Sequence, residues 1–439
     1  MKKNKKLLAV AVAGALTAAT AVPALALENQ FNGAFTTFFD AGNFAGSGVL
    51  ADNAPSANYF VQRVRLGYTA KADDHVKLVT KFEFDYNFWG NGSYSVGRGQ
   101  GGAIGADSVN METKHLYLDL NYPAINAKIG MMANNDSFKG VLFDGDMAGI
   151  LLSHDYDKAG ISAGFFRFND SNDSTPTNAS NDQDFTRLGR NTNDMFSLDG
   201  KYKVSKDLSV GAAYYYIQDD STINSGGVVN DAKVHNLGVN AAGNVGPVAL
   251  SGFFLKQFGD LAAGVDAEGF AANVGAKMAL GGGTLRSEFL YVSGGNDQFY
   301  VASGPGGTEG GQFYDAEMIM LGRDKYATSI DNAIIYDVNN LNEGVIMGTI
   351  GYDYTFTDKI SASVNAGFAA VAKDTGARAA VRGTSDSDYL GTEINAEAYY
   401  KLSANVTLGA RGGYLMLGDY FASNLDDPYD VKLIAKYNF

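Results

Sequence analysis

Apolar and polar residues alternate along most of this 439-residue chain. In residues 76–88, Val76, Leu78 and several aromatic residues share one parity, whereas Lys77, Lys81 and Glu83 share the other. A β-strand places alternate side chains on opposite faces, whereas a helix would scatter them around its circumference. Similar segments recur in pairs, joined by short polar turns such as 205–207 and 357–359. The pattern predicts an all-β fold built from antiparallel hairpins.

The connections between these segments are alternately short and long. The long ones are polar and rich in glycine, and include residues 41–58, 90–108, 170–193, 219–232 and 294–343. This asymmetry is typical of a transmembrane β-barrel, in which short turns lie at one membrane face and longer loops at the other. We count eighteen strands from about Asn29 to Phe439. Sixteen strands are the alternative, since alternation is weaker around Asn244 and residues 281–283.

A soluble β-sandwich would show the same period, because it also buries one face of each strand. Two features favour the barrel. Tyrosine and phenylalanine, 25 and 27 in number, concentrate near strand ends on the apolar face, as in an aromatic girdle. The opposite face carries many charges of both signs, which suits a water-filled lumen.

The first 26 residues have a composition of their own. Four lysines fall within the first six residues, an apolar stretch follows over 7–19, and Ala24 and Ala26 supply small residues at the −3 and −1 positions. This pattern predicts a Sec signal peptide over residues 1–26, cleaved near Ala26, followed by a single barrel domain over 27–439. A membrane anchor is the alternative, but the apolar run is too short for a hydrocarbon core of ~30 Å.

Composition excludes several classes of function. The absence of cysteine rules out disulfides, cysteine-based zinc sites and iron–sulfur clusters. A net charge of −14 does not fit a nucleic-acid-binding surface. The four histidines are dispersed, so we predict no catalytic residues, no cofactor and no metal. The oxygen-rich stretches 144–146 and 169–184 could bind Ca²⁺, but neither has the full spacing of a calcium loop, and a solvated loop is favoured.

The chain ends in a strand-like pattern with a terminal aromatic residue. The apolar parity of 430–439 holds Val431, Leu433, Tyr437 and Phe439. This end resembles the C-terminal signal that the barrel assembly machinery recognises in outer-membrane β-barrels of Gram-negative bacteria.

A hairpin pattern over residues 116–130 is similar to the one that precedes the constriction loop of Gram-negative porins of the general-diffusion type. The resemblance implies an outer-membrane barrel with short periplasmic turns and long extracellular loops. It also implies a homotrimer, outer-membrane lipid and lipopolysaccharide around it, and a loop over 132–147 that folds into the lumen. The function it implies is passive diffusion of small hydrophilic solutes and ions through a water-filled channel.

Charged residues of inward parity are the candidates for a pore constriction, since channel selectivity depends on lumen width and lining charge. A predicted basic wall consists of Arg63, Arg65, Lys77, Lys81 and Lys128. A predicted acidic loop opposite it consists of Asp136, Asp144 and Asp146. The alternative is that these are ordinary lumen charges, hydrated and paired, with no narrow point between them.

Two other functions stay open from the sequence. The first is a substrate-specific outer-membrane channel, because barrels of eighteen strands occur among such channels. The second is a structural barrel that encloses a partner such as a multihaem cytochrome. Copurification with a cytochrome would favour the second.

Overall fold

The computed structural model describes residues 27–439 apart from 45–49, 93–100, 105–110, 171–188, 190–191, 221–230, 263, 305–306, 309, 314–315 and 325–332. Eighteen long strands dominate it. They are β1 Glu28–Gly42, β2 Ala57–Lys71, β3 Val76–Phe88, β4 Met111–Tyr122, β5 Ile125–Asn135, β6 Asp144–Asp155, β7 Ala159–Asp170, β8 Thr192–Lys203, β9 Leu208–Asp219, β10 Ala232–Val245, β11 Val248–Ala262, β12 Phe270–Leu280, β13 Gly283–Val292, β14 Val345–Thr357, β15 Ile360–Ala370, β16 Tyr389–Lys401, β17 Val406–Leu417 and β18 Tyr429–Asn438.

Each long strand pairs antiparallel with its neighbours in sequence, and β1 also pairs with β18, which closes the barrel. Among the eighteen long strands that the structure describes, closure leaves no unpaired edge. At the last position the backbone of Phe439 exchanges two hydrogen bonds with Gly33, at 2.8 and 3.0 Å. The prediction of eighteen strands is confirmed, and the alternative of sixteen is wrong. The weakly alternating regions do form hairpins, β10–β11 around Asn244 and β12–β13 around residues 281–283.

Eight connections are short turns of two to four residues, and they all lie at one end of the barrel, here called the short-turn end. Nine longer connections lie at the opposite, long-loop end. Two short strand pairings fall within the long connections: Val265–Asp266 pairs antiparallel with the end of β11, and Ser303–Gly304 pairs with Gly307–Thr308. The only helix in the described residues is a single turn at Gly295–Asp297, and none of their helices is long and apolar enough to cross a membrane.

The outer face of the barrel is apolar and exposed, which is the reverse of a soluble sandwich. Large side chains point outward from strand after strand; they include Leu78, Leu116, Ile129, Ile150, Val239, Ile350, Val364, Ile394 and Leu433. Aromatic residues mark both rims. Phe60 and Trp89 stack 4.7 Å apart at the long-loop end, and Tyr437 and Phe439 stack 5.4 Å apart at the short-turn end. Contiguous exposed apolar surface of this extent indicates a lipid environment.

Candidate functional site in the barrel lumen

The connection between β5 and β6 folds into the lumen. It covers residues 136–143, so the predicted loop 132–147 was too long at both ends, because its first and last four residues continue the β5 and β6 ladder. We call residues 136–143 the short inward loop. Its backbone wraps around Asp136, whose carboxylate accepts hydrogen bonds of 2.6–3.0 Å from the N–H groups of residues 138, 140, 142 and 143.

The prediction that Asp136 would face the basic wall is therefore wrong. Its side chain is only 4% exposed, and both carboxylate oxygens are used by the loop's own backbone. Lys139 and Gly140 adopt left-handed φ angles of 64° and 80°, which turn the chain so that its N–H groups converge. Burial raises the pKa of the Asp136 carboxyl to about 6, against the four N–H donors that favour the ionised form.

The short inward loop is also fixed to the barrel wall. Its Phe138 ring packs against Tyr215 on β9 and Phe253 on β11, with ring centroids 6.0 and 5.6 Å apart. The Ser137 hydroxyl donates to Asp199 on β8 at 2.7 Å, and the Ser137 N–H donates to the Tyr215 hydroxyl at 2.9 Å. The short inward loop therefore packs against β8–β11 and not against strands β2–β4, which carry most of the basic wall.

A second inward segment lies between β13 and β14. Sequence analysis placed residues 294–343 among the long polar loops, yet a run of four apolar residues, Met318, Ile319, Met320 and Leu321, is 2% exposed or less. Fully burying one such side chain contributes about 1.5–3 kcal/mol. We call residues 316–324 the long inward segment, and its apolar run joins one continuous core with Phe138 and Phe143 of the short inward loop.

Two carboxylates fix the long inward segment to the wall. Glu393 on β16 accepts hydrogen bonds from the N–H groups of Ile319, Met320 and Leu321 at 2.7–3.0 Å. Asp324 forms an ion pair with Arg411 on β17, whose Nη1 lies 2.7 Å from both carboxylate oxygens. The Asp324 side chain is fully buried and that of Arg411 is 4% exposed.

Backbone hydrogen bonds connect the short inward loop to the connection that carries the long segment. The N–H of Gln312 donates to the carbonyl of Gly140 at 3.1 Å, and the N–H of Ala302 donates to that of Leu142 at 3.0 Å. The two therefore form one body that occupies the centre of the lumen. Neither Glu393, Asp324 nor Arg411 was predicted as a site residue.

Among the predicted basic residues, Arg63 and Arg65 face the lumen but are neutralised by their neighbours. Arg63 lies 2.9 Å from Glu83 and 3.2 Å from Asp85, and Arg65 also pairs with Glu83. Their partners come from the adjacent strand β3. Carboxylate oxygens of Glu83, Asp85 and Glu112 lie within 4.8 Å of one another, but the two guanidinium groups supply the counter-charge, and we assign no metal to the cluster.

The remaining basic residues differ in their partners. Lys77 lies 3.4 Å from Asp119 on β4. Within the part of the chain that the structure describes, Lys81 and Lys128 have no carboxylate within ion-pair distance, and Lys128 lies 5.6 Å from the centre of the Tyr117 ring. The basic wall is thus a mixture of paired and unpaired cations.

Asp144 and Asp146 belong to β6 and not to a loop, so they do not form a calcium loop with Gly145. Asp146 approaches two β4 residues that sequence analysis missed, Lys114 at 2.7 Å and His115 at 3.4 Å. Asp144 lies near enough to Arg323 of the long inward segment for the two charges to attract. Asp146 is therefore the member of the predicted acidic loop that faces cations of the barrel wall. The other calcium candidate, 169–184, lies largely outside the described residues, as do the predicted signal peptide 1–26 and its cleavage position.

The predicted assembly residues lie on the outer face of the closing strand. Val431, Leu433, Tyr437 and Phe439 are 44–55% exposed there. The Phe439 ring covers Gly33 on β1 so closely that a β-carbon at that position would lie 2.4 Å from it. The terminal residue thus contributes both backbone and side chain to the seam of the barrel.

Solved structures of other proteins share this barrel fold. The chain superposes on OpdL of Pseudomonas aeruginosa with a TM-score of 0.57 and 13% identity, over 94% of this chain and 99% of that one. For the outer membrane protein OpdK of the same organism, the TM-score is 0.54 and the identity 13%, over 94% and 99% of the two chains. The structure of OpdK with vanillate gives 0.55 and 12%, over 94% and 98%. This chain has their barrel fold. No family model and no curated protein sequence matches it.

Proposed function

We propose that this protein is an outer-membrane channel for passive diffusion that selects among small polar solutes. The observation that carries the proposal is the body formed by the short inward loop and the long inward segment. It places a continuous apolar core in the lumen and is fixed to the wall at Asp199 and Arg411. A path confined between such a body and a charged wall discriminates by chemistry as well as by size.

The general-diffusion pore predicted from sequence is less well supported, because it requires a wide lumen with a single constriction loop. A barrel that encloses a separate protein would need an empty lumen, whereas here the chain's own segments occupy the centre. The structure of OpdK with vanillate supports a small polar solute for a barrel of this fold.

The proposal includes an environment and an assembly route. The short-turn end faces the periplasm, the long loops face outward, and the barrel sits in outer-membrane lipid and lipopolysaccharide as a homotrimer. Export through the Sec pathway with cleavage near Ala26 precedes insertion by the barrel assembly machinery. Support comes from the exposed apolar belt and from the likeness to the outer membrane protein OpdK.

Deleting Phe439 tests the assembly route. We expect a large loss of folded barrel, because both backbone hydrogen bonds to Gly33 and the ring that covers it disappear. The measurement is the fraction that migrates as a compact species on gels before boiling. The matched control is Phe439→Tyr, which keeps the ring and the backbone pair; wild-type amounts of compact barrel from the deletion variant would refute the role of Phe439.

Liposome swelling tests selectivity. Purified barrel is reconstituted and exposed to pairs of solutes of equal size that differ in charge or in hydroxyl content. We expect permeation rates within a pair to differ severalfold. Rates that follow solute size alone would show a general-diffusion pore and contradict the proposal.

A further inference from the structure

A cavity of about 840 Å³ with a mixed polar and apolar lining lies between the short inward loop and the short-turn end. It is lined by residues of β5–β9, the turn 156–158 and Asn240 of β10, and Ser137 and Phe143 of the short inward loop form its roof. The roof is held in place by the bonds from Ser137 to Asp199 and Tyr215 described above. The cavity is therefore a chamber on the short-turn side of the inward body, away from the basic wall.

Strand register explains why there is room. Ser153, Ser162 and Asp199 stand directly opposite one another on β6, β7 and β8, so their side chains point to the same face. In the adjacent row, Gly160 and Gly211 flank Lys201. Serines at two of the first three positions leave space in their row, whereas the space over Gly160 is taken by the Lys201 and Asp155 side chains and that over Gly211 by the Asn240 amide.

The groups that face this space have unused hydrogen-bonding capacity. In the described part of the chain, the hydroxyls of Ser153, Ser162 and Ser197 have no hydrogen-bond partner, and the Oδ2 atom of Asp199 accepts no hydrogen bond. Oδ1 of Asp199 is occupied by Ser137 and Tyr215. A hydroxyl both donates and accepts, and a carboxylate only accepts, so together they complement hydroxyl groups of a ligand.

The charged side chains around the cavity further restrict the class of ligand it can bind. Lys201 is paired with Asp155 at 3.2 Å, which leaves Asp199 as the charge nearest the roof. The rim residues Asp157, Lys158 and Lys203 are exposed, so solvent screens them. An anionic solute is repelled by Asp199, and an apolar one would leave three hydroxyls unsatisfied.

We propose that this chamber binds a neutral, polyhydroxylated solute such as a sugar or polyol. The proposal rests on the proposed function, in which solutes cross the lumen, and adds the class of solute that binds in the chamber on the way. A cavity of 300–1,000 Å³ is typical of small-molecule sites, and a monosaccharide fits within it.

The test compares two probes that share a carbon skeleton and differ in charge, glucose and gluconate. Calorimetric titration of the detergent-solubilised full barrel should show glucose binding more tightly than gluconate. The double variant Ser153→Ala/Ser162→Ala removes two hydroxyls while keeping the space, and should weaken glucose binding by about tenfold. The matched control Ser361→Ala removes an inward hydroxyl of β15, outside the chamber, and should change nothing.

The results separate this inference from the channel itself. Absence of glucose binding, unchanged binding by the double variant, or tighter binding of gluconate would each overturn the chamber proposal. Compact migration before boiling verifies that each variant is folded. A barrel that conducts ions but binds no glucose overturns this inference alone, whereas one that binds glucose without conducting overturns the channel and leaves the chamber.

Discussion

Replacing Arg411 with methionine should release the long inward segment and increase ion conductance. The change removes the Arg411 guanidinium from the fully buried Asp324 carboxylate and also removes the 3.2 Å contact to Glu397. Breaking a buried ion pair by removing one partner typically costs about 3–5 kcal/mol. We expect a loss of that order in the free energy of unfolding in urea, together with larger single-channel currents.

Two further variants make the result specific. In Asp324→Asn/Arg411→Met the buried carboxylate that has lost Arg411 is neutralised, so stability should recover in part while the segment remains poorly anchored. Lys71→Met removes this lysine's contacts with Asp74 and Glu28, which are both exposed at the short-turn end, and should alter neither stability nor conductance. Wild-type conductance from folded Arg411→Met would show that the pair does not hold the segment in the lumen.

Replacing Asp136 with alanine should open the short inward loop. Four backbone N–H donors lose their acceptor at once, and each buried donor left unsatisfied costs about 1–3 kcal/mol. The loop would leave its position on Tyr215 and expose Lys139. We expect trypsin to cleave after Lys139, detected by mass spectrometry of the folded barrel, and an increase in conductance.

Asp136→Asn keeps one carbonyl oxygen in place and should give an intermediate result. Asp157→Ala removes an exposed turn carboxylate and serves as the control with no expected effect. If Asp136→Ala resists trypsin as the wild type does, the carboxylate does not organise the loop.

Most of the barrel could be predicted from the sequence, because period-two alternation is a local pattern that directly reports two faces. The inner position of Arg63 and Arg65 followed from the same rule. Their neutralisation depends on cross-strand pairing: Arg65 lies opposite Glu83, and a register drawn from the turn at 72–75 would have placed them together. Alternation within a single strand does not indicate which residues of the neighbouring strand lie opposite, so it does not predict the β3 partners of Arg63 and Arg65.

The inward body could not be predicted in the same way, because loops have no period. The charge of Asp136 suggested a pore residue, although a carboxylate can equally accept hydrogen bonds from the backbone N–H groups of its own loop. One signal was present in the second segment. Four consecutive apolar residues, 318–321, inside a long polar connection indicate burial, and the only place for burial at that end of a barrel is the lumen.

The proposed function requires that this barrel conducts ions and that its inward body limits their path. The most direct test is single-channel recording in a planar bilayer, with purified wild-type protein and Arg411→Met under the same salt. We expect discrete current steps from the wild type and larger steps from the variant. The proposed function would be contradicted if wild-type barrel of verified folding gave no current steps, or if both proteins gave steps of the same size.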